Sequence, residues 1–124
     1  MSVYSVGVDL IEIERVDQLL EKYGEKFLKR IYTGVEIEYC SKKKNKGSFA
    51  ARFAAKEAVF KATGLGLGKS MTWKDVEVVN DERGKPEVRL YGKTAEILAD
   101  KMIQLSLSHS KDAAIAMVVV HDRK

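Results

Sequence analysis

The 124-residue sequence predicts an α+β fold, a mainly antiparallel sheet packed against one long central helix. Three observations point there. The first is the stretch SFAARFAAKEAVFKAT, Ser48 to Thr63. Wound at 3.6 residues per turn, it gathers Phe49, Phe53 and Phe60 into a narrow sector and sets Ala51, Ala54, Ala55, Ala58 and Ala62 on the opposite side. Alanine lets another backbone approach closely, so this helix is enclosed on most sides. The second is a pair of hairpin patterns in the later half of the chain. The third is the run Ala113 to Val120, apolar enough to be a central strand or one buried in an assembly.

The elements follow in order. Ser2 to Val8 is β-branched and weakly alternating, a short strand that ends in Gly7-Val8-Asp9. Leu10, Ile13, Val16, Leu19, Leu20 and Tyr23 then recur at helical spacing up to Gly24. Asp9 thus falls at a strand-to-helix junction, where two roles are open. It is either a helix N-cap, with Glu12 completing a capping box, or a carboxylate at a strand end, a common place to hold a metal ion. Glu25 to Tyr32 reads as a short helix, and Thr33 with Glu36 as a capping box opening another through about Ser41. Lys42, Lys43, Lys44 and Lys46 around Asn45 form a basic loop. After the central helix, TGLGLGKS (Thr63 to Ser70) only partly fits the phosphate loop G-x-x-x-x-G-K-[ST]: Thr63 stands in place of the first glycine, and the segment follows a helix instead of a strand. Gly64 is better read as a helix C-cap. Thr72 to Val79 and Glu87 to Tyr91 form a hairpin through Asn80 to Pro86. Lys93 to Met102 is a short helix, and Ile103 to Ser108 pairs with Ala113 to Val120 about Ser110-Lys111-Asp112.

Length and composition bound the function. One domain, residues 1–124, is expected, able to bury roughly two-thirds of its unfolded surface. The start, MSVYSVGVDLIEIERV, has no basic leader region and reaches Asp9 before a long apolar run forms, so neither a signal peptide nor a membrane span is expected and the location reads as cytoplasmic. The single Cys40 forms no internal disulfide and suits packing better than nucleophilic chemistry. A net charge of +4 favours an anionic partner. A nucleic-acid module is disfavoured, because no aromatic platform or recognition helix accompanies the basic residues and 18 acidic ones dilute them. An interaction domain, with every charge a cap or surface pair, is the other alternative.

The charges on the central helix carry the chemistry. Lys56 projects into the aromatic stripe, and Glu57 sits on its edge one turn before Lys61. As a solvated i, i+4 pair, Glu57 and Lys61 would contribute only a few tenths of a kcal/mol, about 0.2–0.5. Desolvated, they need partners: each other, a metal ion or a ligand phosphate. His109, between Ser108 and Ser110, is a candidate anion or proton contact or simply a polar turn residue. Arg15, Lys22, Lys26, Lys29 and Arg30, with Phe27 and Ile31 among them, make a basic face that is either plainly solvated or a dock for an acidic helix.

Three separated pieces, GVDLIEIERV (Gly7 to Val16), RFAAKEAVFKA (Arg52 to Ala62) and SLSHSKDAAIAMVVV (Ser106 to Val120), together resemble the holo-[acyl-carrier-protein] synthases, the small class of 4'-phosphopantetheinyl transferases. F-x-x-K-E-x-x-x-K-A is the most specific motif, and G-x-D-x-x-E-x-x-R supports it. The resemblance implies that class's fold and transfer of phosphopantetheine from coenzyme A to a serine of apo acyl carrier protein. Adenosine 3',5'-bisphosphate would be released, Mg2+ would be the cofactor, and the step would support fatty acid biosynthesis. It implies Asp9 and Glu57 as metal ligands and Lys61 against the pyrophosphate, these three being the catalytic set. Arg52, Lys56, Ser108, His109 and Ser110 would line the coenzyme A pocket, with Gly84-Lys85-Pro86 near adenine. Arg15, Lys26, Phe27 and Arg30 would dock the carrier protein. Family members form homotrimers with active sites between subunits. Larger two-domain relatives carry a second acidic ligand two residues after the aspartate, where this chain has Ile11, so water or substrate would fill that place.

Overall fold

The computed structural model describes residues 2–43, 47–68 and 70–123. A three-stranded antiparallel sheet is formed by β1 (Val3–Glu12), β4 (Lys101–His109) and β5 (Ala113–Asp122), in the order β1-β5-β4. The apolar last strand is therefore central. Its Ala114, Ala116, Val118 and Val120 alternate onto one buried face beside Gly7 and Ile11 of β1. Helix α4 (Gly47–Ala62) lies across that face, and all five alanines named above are buried. The approach is close enough that a Cβ on Gly7 would lie 2.1 Å from the Ala58 carbonyl oxygen. On the far side of α4 the aromatic residues pack in a column: Phe27 of α2 (Glu25–Ile31) stacks on Phe53 at 6.3 Å, and Phe53 on Trp73 at 5.0 Å, with Phe60 edge-on to Trp73.

The remaining elements surround this core. Helix α1 (Ile13–Tyr23) leads into α2, and α3 (Gly34–Ser41) opens with the capping box expected of Thr33 and Glu36. A short 3-10 turn, Trp73–Asp75, precedes a separate two-stranded hairpin of β2 (Val76–Asn80) and β3 (Pro86–Leu90), and α5 (Gly92–Ile97) joins this to β4. The sequence placed α5 as far as Met102, but Lys101 and Met102 pair with Asp122 and His121 and so belong to β4. Lys44, Asn45 and Lys46 of the basic loop, and Lys69, lie outside the described residues. Among the described residues no helix is long and apolar enough to cross a membrane.

One local expectation is corrected. β1 continues through Asp9 because its ladder to β5 runs on to Glu12 opposite Ala113, which holds these residues extended. Helix α1 then starts with Glu12 at its N-cap position, and Asp9 caps nothing. Freed from that role, Asp9 sits in mid-strand opposite Ala116.

Candidate active site

Strand alternation turns Asp9 to the same face as Gly7 and Ile11, toward α4. Helical spacing sets Glu57 and Lys61 one turn apart on the flank of α4 that overhangs β1. Lys61 Nζ donates to Asp9 Oδ1 at 2.8 Å and to the Val8 carbonyl at 3.2 Å. Asp9 is largely enclosed, its side chain 15% exposed, whereas Lys61 is 52% exposed. Burial raises the Glu57 carboxyl above its ordinary value, the negative charge of Asp9 raises it further, and Lys61 acts against both. The Lys61 ammonium is itself held above its ordinary value, first by its hydrogen bond to Asp9 and then, against some desolvation, by the charges of Asp9 and Glu57.

Three residues far apart in sequence thus converge at the rim between β1 and α4. Two carboxylate groups, one of them partly desolvated by burial and repelled by the other, form a hard-oxygen donor set that fits a divalent cation such as Mg2+, which keeps several waters. Among the described residues no cluster of three or more His, Cys, Asp or Glu stands ready to enclose an ion. Ile11, two residues on from Asp9, is buried and supplies no oxygen.

A second group of expected residues gathers on the opposite flank of α4. Arg52, 4% exposed, donates from Nη2 to Asn80 Oδ1 at 2.7 Å and lies over the Tyr39 ring at 4.4 Å. Its Nε is buried with no partner. Asn80 in turn donates to the Gly84 carbonyl at 3.0 Å, and Gly84 turns the hairpin with a φ of 87° that suits glycine. Arg52, Asn80, Pro86 and His109 line a common cleft of about 260 Å³. The Lys85 backbone is tied to Asp81. Asp9 pairs with Ala116, which pairs with Leu107 at the edge of this cleft. The two groups are therefore separated by two strand spacings, about 10 Å, and by the body of α4, itself about 10 Å across.

The other expected residues lie outside these two groups. Lys56, expected in the ligand pocket, is 0% exposed and paired with Glu36 at 2.7 Å, while its ammonium also donates to the carbonyls of Trp73 and Val76. Its donors are consumed inside the fold, and burial depresses its basicity despite the opposing pull of Glu36. Ser108 lies on the sheet face opposite to its neighbour His109, because a strand's side chains alternate, so the two do not line one cleft of the same chain. Ser110 Oγ accepts from the backbone N–H of Asp112 and Ala113 within its own turn. Phe27 spends its ring on Phe53 and Tyr32, within the aromatic column, although Arg15, Lys26 and Arg30 are exposed. Cys40 is buried, with its thiol pushed up to about 11, primarily by burial, as a packing role requires. A surface depression of about 810 Å³ lies between the start of α1 and the His109 to Asp112 turn and is lined by Glu12, Glu14, Asp17 and Asp112, away from Glu57.

Two participants escaped the sequence reading. Glu36 was legible as a cap, but the same carboxylate also accepts from the Val78 N–H at 2.8 Å and neutralises Lys56. Asn80 looked like an ordinary turn residue. No signal short of the fold links it to Arg52.

A phosphate-ester enzyme is the class that such a carboxylate, lysine and arginine arrangement defines. Residues 5–118 match the family model of the 4'-phosphopantetheinyl transferase superfamily. A holo-[acyl-carrier-protein] synthase of Geobacter metallireducens is 45% identical over 122 residues, covering 95% of this chain and 97% of that protein. The crystal structure of the Bacillus anthracis holo-(acyl-carrier-protein) synthase in complex with CoA (3',5'-ADP) superposes with a TM-score of 0.82 at 37% identity, covering 97% of each chain. That of the Helicobacter pylori enzyme in complex with coenzyme A does so with a TM-score of 0.85 at 31% identity, covering 94% of this chain and 99% of that one. The chain belongs to this superfamily and, within it, to the holo-[acyl-carrier-protein] synthases.

Proposed function

We propose that the chain transfers 4'-phosphopantetheine from coenzyme A to a serine hydroxyl of an apo acyl carrier protein, releasing adenosine 3',5'-bisphosphate. The observation that carries this reading is the convergence of Asp9, Glu57 and Lys61 at one rim. The serine oxygen forms a bond to the phosphorus next to the pantetheine arm while the diphosphate P–O bond on the far side of that phosphorus breaks. The nucleophile comes with the partner, so no activated Ser or Cys is required of this chain. The serine proton passes to the Glu57 carboxylate at this rim. Lys61 places its ammonium against the diphosphate and the departing bisphosphate. Asp9 and Glu57 would hold Mg2+, which, when bound, neutralises charge on the phosphoryl oxygens.

The unpartnered Nε of Arg52 suits an anionic group of the nucleotide, with His109 and Pro86 lining the same cleft and Gly84-Lys85 next to Pro86 in the turn. Since the two groups of residues lie on opposite flanks of α4, a single ligand reaches both when one chain supplies the carboxylates and a neighbour supplies Arg52. The outer face of the sheet favours such an assembly: Tyr4, Val6, Val8, Leu10, Ile115 and Met117 form an exposed apolar surface, with relative exposures from 39% to 67%. A homotrimer with intersubunit sites fits this, and Ser108, on that outer face, would then contribute to a neighbour's site. Exposed Arg15, Lys26 and Arg30 suit an acidic carrier protein, and the reaction would serve fatty acid biosynthesis.

The test is mass spectrometry of an apo carrier protein incubated with the chain, coenzyme A and Mg2+. The phosphopantetheine arm should appear, and should not appear with Asp9→Asn or Glu57→Gln variants that retain native circular dichroism. Near-normal turnover by either variant would overturn the assignment.

A further inference from the structure

The contact between Lys61 and Asp9 bears on how the site is loaded. Asp9 is fixed by the β1 ladder and mostly enclosed, so its carboxylate has little freedom to move. Lys61 reaches it from the end of a flexible stem that is about half exposed, and among the described residues it anchors by two hydrogen bonds, to Asp9 Oδ1 at 2.8 Å and to the Val8 carbonyl at 3.2 Å. The ammonium therefore occupies one oxygen of the same carboxylate that a divalent cation would need.

Charge counting gives the direction of the conflict. Asp9 and Glu57 carry −2 and Lys61 +1, leaving the rim at about −1; a divalent cation reverses it to about +1, with two cationic centres at one carboxylate. A cation is thus opposed by Lys61 until the ammonium leaves. A diphosphate ester offers it somewhere to go.

We propose that Lys61 and the divalent cation compete for Asp9, so that cation loading releases Lys61 from β1 and makes its ammonium available to the phosphate ester. Lys61 is then a counter-ion that changes partners during the cycle, and its exposed stem is what permits the exchange. This rests on the reading that Asp9 and Glu57 hold the cation.

Two measurements without coenzyme A or carrier protein test it. The first is Mn2+ affinity, from the electron paramagnetic resonance signal of the free ion, for the wild type, Lys61→Met, Asp9→Asn and Glu57→Gln. The second is the proton–nitrogen NMR signal of the Lys61 ammonium during Mg2+ titration, assigned by its loss in Lys61→Met. Lys61→Met should bind Mn2+ about five- to fifty-fold more tightly than wild type, a coupling of ordinary size. The ammonium signal should leave its hydrogen-bonded position as Mg2+ saturates. Unchanged or weaker Mn2+ binding by Lys61→Met overturns the proposal. So does tighter binding with an unmoved ammonium signal, which is the mark of repulsion without exchange. If Asp9→Asn and Glu57→Gln bind Mn2+ as wild type does, the metal assignment itself fails, a distinct outcome that removes the basis for the exchange.

Discussion

Replacing Lys56 by Met should destabilise this protein sharply, with no ligand involved. Lys56 and Glu36 are both 0% exposed and 2.7 Å apart. Met keeps most of the stem but deletes three hydrogen bonds, to Glu36 and to the carbonyls of Trp73 and Val76. Glu36 would retain the N–H groups of Thr33 and Val78 but no counter-charge. Breaking a buried pair from one side costs about 3–5 kcal/mol, a large share of the roughly 5–15 kcal/mol available to a domain. The corresponding fall in Tm is roughly 10–20 °C. Urea unfolding followed by circular dichroism measures it, provided the slope with denaturant is unchanged. Adding Glu36→Gln to Lys56→Met should restore part of the loss, because the amide oxygen still accepts while the unpaired charge is gone. The reasoning fails if Lys56→Met lies within about 1 kcal/mol of wild type, or if the double variant is no more stable than the single one. Where Lys56→Met remains folded, its KM for coenzyme A should stay near wild type, since the ammonium faces no ligand.

Other expectations follow from the same packing. The Glu57 carboxyl titrates above the ordinary 4.5 in the folded state, so the folded chain binds the proton more tightly than the unfolded one. That contribution to stability is complete below the unfolded value and is lost as pH rises through the raised one. Without metal, therefore, Glu57→Gln should gain in Tm relative to wild type between pH 4 and pH 7, and a difference flat across that range would contradict it. Gly7→Ala should cost more than the roughly 1–3 kcal/mol typical of overpacking, because its Cβ meets the Ala58 carbonyl oxygen at 2.1 Å and backbone cannot step aside; a wild-type melt would exclude so close an approach. Arg52→Ala should raise the KM for coenzyme A at least about tenfold with kcat changed only a few-fold, as expected for a group that binds without sensing the transition state. A matching fall in kcat would place Arg52 in the chemistry. Val6→Lys should dissociate any homo-oligomer in sedimentation while leaving the monomer folded, and an unchanged sedimentation coefficient would exclude the outer sheet face as the interface.

What the sequence made legible was whatever depends on local periodicity. The alanine side of α4, the Thr33–Glu36 cap and the centrality of the last strand all follow from spacing and residue type, and the structure has them. Asp9 was misplaced locally because the pattern Asp9 to Glu12 satisfies a capping box as well as it satisfies a strand; only the long-range pairing with β5 decides. The partner of Lys56 was hidden for the same reason. Glu36 lies far back along the chain, and its role as a cap fully accounted for it. Ser108 and His109 adjoin in sequence, so a motif reading groups them, whereas the pleat separates them.

Lys56 and Glu57 show why buried-charge arguments from one helix need the fold to finish them. Adjacent positions are rotated by about 100° around the axis, so one step moves the side chain from the sealed interior to the rim. Lys56 finds a carboxylate and two carbonyls there and becomes a structural tie between α3, α4 and the start of β2. Glu57 is partly buried, faces a second carboxylate, and becomes harder to ionise. A protein selected only for stability would relieve that repulsion by making Glu57 neutral. The Lys61 ammonium already offsets part of that repulsion, and in the proposed function a divalent cation would offset the rest. Rigid placement of α4 by the Lys56–Glu36 tie is what would let that repulsion persist without the helix shifting to escape it.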